Sequence, residues 1–173
     1  DFRGLLSVRD AKTLEVLGEL PTWGTSPHDC ILLDDGCTMV VANGGGLYQQ
    51  GAMPNVCYID IKTETMIDRV DLPNPRYNAG HLAITSTGDL AVVSAPRDGL
   101  GPDLHKLQGA VTLVPKGKPP TTMDRPSSVT DRMKGETLSV AIHEPSALVM
   151  ATNPDGNLVS MWDLQQLKLV GTL

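Results

Sequence analysis

The chain has 173 residues, with 14 basic against 20 acidic side chains and a formal charge of −6. That balance, with no run of Lys and Arg interleaved with aromatics, excludes an obvious surface for nucleic acid, and no stretch of about 18 apolar residues exists to cross a membrane as a helix. The three cysteines, Cys30, Cys37 and Cys57, cannot all pair within the chain and lack a CxxC spacing, so they read as unpaired thiols, Cys30 and Cys57 being small buried hydrophobes in apolar strand runs.

Taken in chain order, strands are predicted at 30–33, 38–42, 56–61, 66–72, 82–85, 90–94, 110–114, 138–142, 148–152, 158–163 and 167–173. They are short, rich in Val, Ile, Leu and Thr, and bounded by Gly, Pro, Asn or Asp. Several are continuously apolar rather than alternating, which fits strands buried on both faces. Residues 44–55, 96–109 and 124–136 are long polar loops, the last able to hold one helical turn.

The strands repeat. His28 and His81 lie 53 residues apart, Gly36 and Gly88 lie 52 apart, Asp10 and Asp60 lie 50 apart, and Asp60 and Asp163 lie 103 apart, about two periods. Third-strand endings recur at Val8-Arg9-Asp10, Tyr58-Ile59-Asp60 and Met161-Trp162-Asp163, where the aspartate is expected to accept backbone hydrogen bonds in its turn. In the third repeat Leu113-Val114-Pro115 stands at that place. A period of about 50 residues built from four short strands is that of a β-propeller blade. The fold class is therefore all-β, a propeller of four-stranded antiparallel blades. Residues 1–173 form part of one such domain, with a partial blade at 4–20 and full blades at about 28–72, 81–123 and 138–173. Closed propellers take about four to eight blades, so three and a half imply partners that complete the ring. These would be the rest of a longer chain, favoured by a start in mid-blade, or a second copy.

Strand order places the loops. In an up-and-down meander the loop entering the first strand and the loop joining the second to the third lie at the same end. His28, Asp29 and His81 open first strands; Asn43, Arg97 with Asp98, and Asn153 with Asp155 follow or end second strands. All eight should gather on one rim, near the mouth of the central channel. His28 and His81 could converge there on a transition metal, for which neutral imidazole is a common ligand, or each could bridge its strand to the next blade through backbone hydrogen bonds. Arg97 and Asp98 could bind an anion and a cation, or form an exposed pair of no consequence. The Asn43-Gly44-Gly45-Gly46 run lacks the Lys-Ser/Thr ending and the helix of a phosphate loop and reads as a turn needing positive φ. Asp155-Gly156 reads as a hairpin turn. Trp23 and Trp162 are expected to pack between blades, and His105 and His143 to lie on the surface. No nucleophile elbow, HExxH or helical carboxylate pair is present.

Pro27-His28, Leu32-Leu33-Asp34-Asp35-Gly36 and Val40-Val41-Ala42-Asn43-Gly44-Gly45 together resemble the central signature of the bacterial family known as domain of unknown function 1513. Tyr58-Ile59-Asp60, His81-Leu82-Ala83 and Trp162-Asp163 are similar to its later elements. The likeness covers most of the chain and about the second half of a typical member, with a loop at 46–55 shorter than usual. The resemblance implies a seven-bladed propeller exported to the periplasm, often behind a twin-arginine signal, and encoded near imelysin-like iron-uptake proteins. It implies no catalytic residues. The expected function is thus a non-catalytic exported propeller binding a partner protein, such as a metal-uptake protein, or a metal ion through His28 and His81. The alternative is a propeller lactonase or hydrolase, with Asp29, Asp98, Asn43 and Asn153 holding a divalent cation such as Ca or Mg through oxygen.

Overall fold

Each strand pairs antiparallel with its neighbour in sequence, and the pairing closes off every four strands, so the chain becomes a row of sheets rather than one wide sheet. The computed structural model describes residues 4–173. β1 (Leu5–Arg9) and β2 (Val16–Pro21) form a two-stranded sheet. Then come β3 (Pro27–Leu32), β4 (Thr38–Asn43), β5 (Asn55–Asp60) and β6 (Thr65–Asp71); β7 (Leu82–Ile84), β8 (Leu90–Ser94), β9 (Ala110–Val114) and β10 (Thr121–Thr122); and β11 (Val140–His143), β12 (Leu148–Asn153), β13 (Leu158–Asp163) and β14 (Lys168–Thr172). The expected helical turn in 124–136 is α1 (Ser127–Thr130). The fold is a β-propeller arc of about three and a half blades. Among the described residues no helix is long and apolar enough to cross a membrane.

The middle strands explain why some runs are apolar throughout. In β8 all five residues are buried. Leu90 and Val92 enter a core shared with Val40, Ala42 and Val56 of the preceding blade. Ala91 and Val93 point the other way, into a core with Val149, Ala151, Leu158 and Trp162 of the following one. A strand between two blades has no solvent face, so period-two alternation sorts its side chains between two cores rather than between core and water. Trp162 is wholly buried in the second core, its Nε1–H donating to Ser160 Oγ at 2.9 Å. Segment 124–136 seals that core with Val129 and Met133.

The turn end of the blades is built on one device. Asp10, Asp60 and Asp163 each accept the backbone N–H groups two and three residues on, at 2.8–3.0 Å. The residue four places after each, Leu14, Glu64 and Leu167, takes a left-handed conformation with φ of 52–61°. Asp35 does the same for Cys37 and Thr38 in the β3–β4 turn. Where Pro115 replaces the third-strand aspartate, Asp89 of the β7–β8 turn reaches across and accepts the Lys116 N–H at 2.8 Å.

Two expectations fail. Cys30 is exposed rather than buried, because it lies opposite Ile31 on β3, turned toward the two-stranded sheet, which leaves it uncovered. Cys57, in the next-but-one strand, is buried under Leu6 of that sheet as expected. Trp23 is 46% exposed. It sits in the β2–β3 connection with φ 57°, outside the strands, and so does not enter the interblade packing that holds Trp162.

Candidate functional site

The first strand of a blade begins irregularly at His28. Pro27 pairs with Asn43 and Asp29 with Ala42, so His28 is the extra, unpaired residue of a β-bulge. A bulge re-aims the side chain it carries, and here the His28 ring lies edge-to-face against the ring of His81 from the next blade, with centroids 4.9 Å apart and an interplanar angle of 85°. His81 stands just ahead of β7 but is not loose. Its carbonyl accepts the Val93 N–H at 2.9 Å, and Gly80 donates back to Val93 at 3.0 Å.

Asp29 joins the two blades. Its Oδ2 accepts the Leu82 N–H at 3.0 Å and lies 3.4 Å from His81 Nδ1, while its Oδ1 accepts the Cys30 N–H at 2.9 Å. The blade-to-blade link to backbone that sequence reasoning assigned to the histidines is made by this aspartate instead. Beside the pair a rim cavity of about 550 Å³ is lined by Ser26, His28, Gly46, Leu47, Asn78 and Asp98, among others.

The other residues expected on the rim divide. Asp98 is exposed on the wall of this cavity. Arg97 also reaches it but is 2% exposed. Its guanidinium donates from Nε to the Gly46 carbonyl at 3.0 Å, from Nη1 to Pro75 at 3.0 Å, and from Nη2 to Gly45 and Leu47 at 2.6 and 3.0 Å. Neither an anion site nor an exposed pair describes it: Arg97 is an internal clamp. Burial pushes its pKa down, yet guanidinium remains charged at any ordinary pH. The clamp holds the glycine run, whose Gly45 and Gly46 take φ of 82° and 66°, the positive values expected of that turn. Tyr48 N–H then donates to the Asp98 carbonyl at 2.9 Å, zipping the 44–54 and 95–109 loops together.

Asn43 and Asn153 are buried and tie loops to strand ends. Asn43 Nδ2 donates to the Thr22 carbonyl at 3.0 Å and to Asn55 Oδ1 at 3.1 Å. Asn153 Nδ2 donates to the Glu136 carbonyl and Thr137 Oγ1 at 3.1 and 3.0 Å. Asp155 lines a separate cavity with His105, Lys106 and Lys134. The structure therefore brings together His28, Asp29 and His81, with Asp98 across the adjoining cavity, and sets Asn153 and Asp155 in the last blade. Among the described residues no group of three or more His, Cys, Asp or Glu side chains stands in a metal-holding array; the histidines are a pair.

Sequence reasoning missed Ser26 and Asn78 in the cavity wall and the clamp role of Arg97. No local signal marks them, since they reach the rim only when blades pack.

The whole chain, residues 1–173, matches the family described as "Protein of unknown function (DUF1513)". The protein belongs to this family. None of the curated proteins matches it. Among solved structures it is similar to Kuenenia stuttgartiensis hydrazine synthase, with a TM-score of 0.65 at 15% identity, over 95% of this chain and 47% of that one. It is also similar to the Myceliophteria thermophila Cps50 (Swd1) β-propeller domain, with a TM-score of 0.49 at 14% identity, over 85% of this chain and 40% of that one. The chain spans about half the length of these structures. Likeness at such identity concerns the fold alone.

Proposed function

We propose that this DUF1513 protein is a non-catalytic, exported β-propeller that binds a transition-metal ion between His28 and His81 at the mouth of its channel, in the service of metal uptake. One observation carries the reading. His28 and His81, from adjacent blades, bring their rings into edge-to-face contact with centroids 4.9 Å apart, and neutral imidazole is a common transition-metal ligand. A bulge that re-aims His28 and a backbone pair that pins His81 supply the preorganisation such a site needs. The remaining ligands come from water, from the blades that complete the ring (in the same longer chain or a second copy), or from a metal-uptake protein that receives the ion. Export to the periplasm rests on the family resemblance.

A second reading, docking of a partner protein on the same rim, has its own support. Trp23, Leu47, Tyr48 and Met53 are all at least 36% exposed on that rim, and aromatic and Met side chains are enriched at the centres of interfaces. A lactonase-type cation site of Asp29, Asp98, Asn43 and Asn153 has less support, because both Asp29 oxygens accept backbone N–H groups and the Asn153 Oδ1 accepts from Thr137 in the last blade, although the buried Asn43 Oδ1 has no partner.

Metal analysis of the intact protein tests the proposal. Zinc, copper or iron should co-purify or load stoichiometrically, and the His28→Ala/His81→Ala protein should lose it while melting as the wild type does. Equal metal content in the two proteins would sink the reading.

A further inference from the structure

We infer that the cleft beside Trp23 is a binding site for a neutral sugar, with the indole as the surface on which one pyranose ring stacks. The site uses neither histidine of the pair, so it does not rest on the metal reading. It begins with an irregular strand end. Pro21 pairs with Leu5, and the Thr22 N–H donates to the Gly4 carbonyl at 2.9 Å. A regular antiparallel ladder would return the Gly4 N–H to the Thr22 carbonyl. Instead it donates to the Gly24 carbonyl at 3.0 Å, and the Thr22 carbonyl accepts Asn43 Nδ2 at 3.0 Å. Trp23 is the residue looped out between them, at φ 57°, a conformation that bulky side chains rarely take. Its carbonyl is held in turn by Arg69 Nη1 at 3.4 Å and by Cys57 Sγ at 3.8 Å. The buried Thr22, Asn43 and Cys57 thus hold a strained backbone that leaves the indole 46% exposed. Strain of this kind persists where surroundings over-determine it, and it gathers at ligand sites.

The cleft holds about 850 Å³, inside the range of about 300–1,000 Å³ for small-molecule sites, and its wall includes Trp23, Thr25, Gln50, Met53, Asn55 and Arg69. Trp23 and Met53 supply an apolar patch. The Thr25 hydroxyl and the Gln50 amide can each donate and accept. Asn55 braces the wall, bonded to Asn43, Cys57 and the Met53 carbonyl. Arg69 is the one charged residue of the wall among those described, and Asp71 meets its charge, with Nε donating at 2.8 Å and Nη2 2.6 Å away. That balance selects the ligand. A nucleotide could stack on the indole, but its phosphates would find no free cation. A methylammonium group calls for a cage of aromatic faces and a proline-rich peptide for an aromatic-lined groove, whereas this wall has one aromatic ring. A pyranose matches what is there. It has a face of C–H groups for a single indole and a rim of hydroxyls that donate and accept, as amide, hydroxyl and guanidinium require.

Calorimetric titration of the intact protein with maltotriose, cellotriose and chitotriose tests this, with a polyproline nonapeptide as the competing class. At least one trisaccharide should bind saturably. Trp23→Ala should weaken that binding about tenfold or more, and Gln50→Ala, at an exposed position, about three- to tenfold, both with unchanged melts. If Trp23→Ala melts early, Gln50→Ala decides the matter. No heat from any of the three sugars, sugar affinity that Gln50→Ala or a normally melting Trp23→Ala leaves unchanged, or binding of the peptide alone overturns the inference. None of these results bears on the metal reading, which stands or falls on metal content.

Discussion

The two ends of the blades are built on opposite principles. At the turn end, the hairpins after β1, β5 and β13 are held by an aspartate two or three residues from its donors, and the αL residue that closes each turn is four places on. At the rim end, the β4–β5 loop is held by Arg97, about 50 residues away in sequence, and the two histidines meet across 53 positions. Local hydrogen bonds make these three hairpins self-sufficient and alike, whereas the β7–β8 turn also reaches Lys116 and Glu144. The rim acquires its shape only when two blades pack, which is why one pair of blades carries a histidine pair that the next lacks: Ser139 stands before β11 where His81 stands before β7.

The largest expected effect follows from removing the clamp. Arg97→Met leaves four loop carbonyls without their donor, the Gly45 bond buried and the other three part-buried; with about 1–3 kcal/mol for a buried orphan, a loss of roughly 3 kcal/mol is expected, with fast hydrogen exchange in residues 44–50. Unaltered exchange there would show the rim loop to be as self-sufficient as the turns. Asp163→Ala should cost less, about 1–2 kcal/mol for two lost bonds. Its damage should stay in the β13–β14 turn, and exchange in β12 that rose as much would break the comparison.

Acid separates the ends with a smaller effect. Thr38 and backbone N–H groups hold Asp35 below the usual carboxylate range, as the Thr63 and Lys62 amides do for Asp60. Ser86 does so for Glu144. For Asp89 burial works upward, and the bonds from Lys116, Gln165, Thr87 and Thr85 outweigh it. A depressed folded value means the stabilisation is complete above the unfolded value, near 4, and is lost as pH falls through the folded one. Turn amides such as Thr38 and Thr63 should therefore lose protection before those of 44–50, whose clamp of arginine on neutral carbonyls does not titrate in this range. Simultaneous loss at both ends on lowering the pH from 5 to 3 would contradict this.

How much was legible follows the same divide. Asp60 and Asp163 were readable as turn acceptors because their donors are two and three residues away. The blades were readable because short strands recur about every 50 residues, β8 and β9 being apolar at four of five positions each. Strand order put His28 and His81 at one rim, but the bulge that turns His28 toward its partner carries no residue signal. The roles of Asp29 and Arg97 were hidden because their partners, Leu82 and Gly45 to Leu47, belong to other parts of the chain. Cys30 and Trp23 were misread for a related reason. Their apolar character suited an interblade core, whereas the sheet beside Cys30 has two described strands and Trp23 lies in a connection.

The central claim is that the rim holds a metal between His28 and His81. X-ray absorption at the zinc edge of the zinc-loaded intact protein tests it most directly. The account expects imidazole scattering from two rings with Zn–N distances of about 2.0–2.1 Å, absent from His28→Ala/His81→Ala. A spectrum of oxygen ligands alone, or one that the double substitution leaves unchanged, would contradict it.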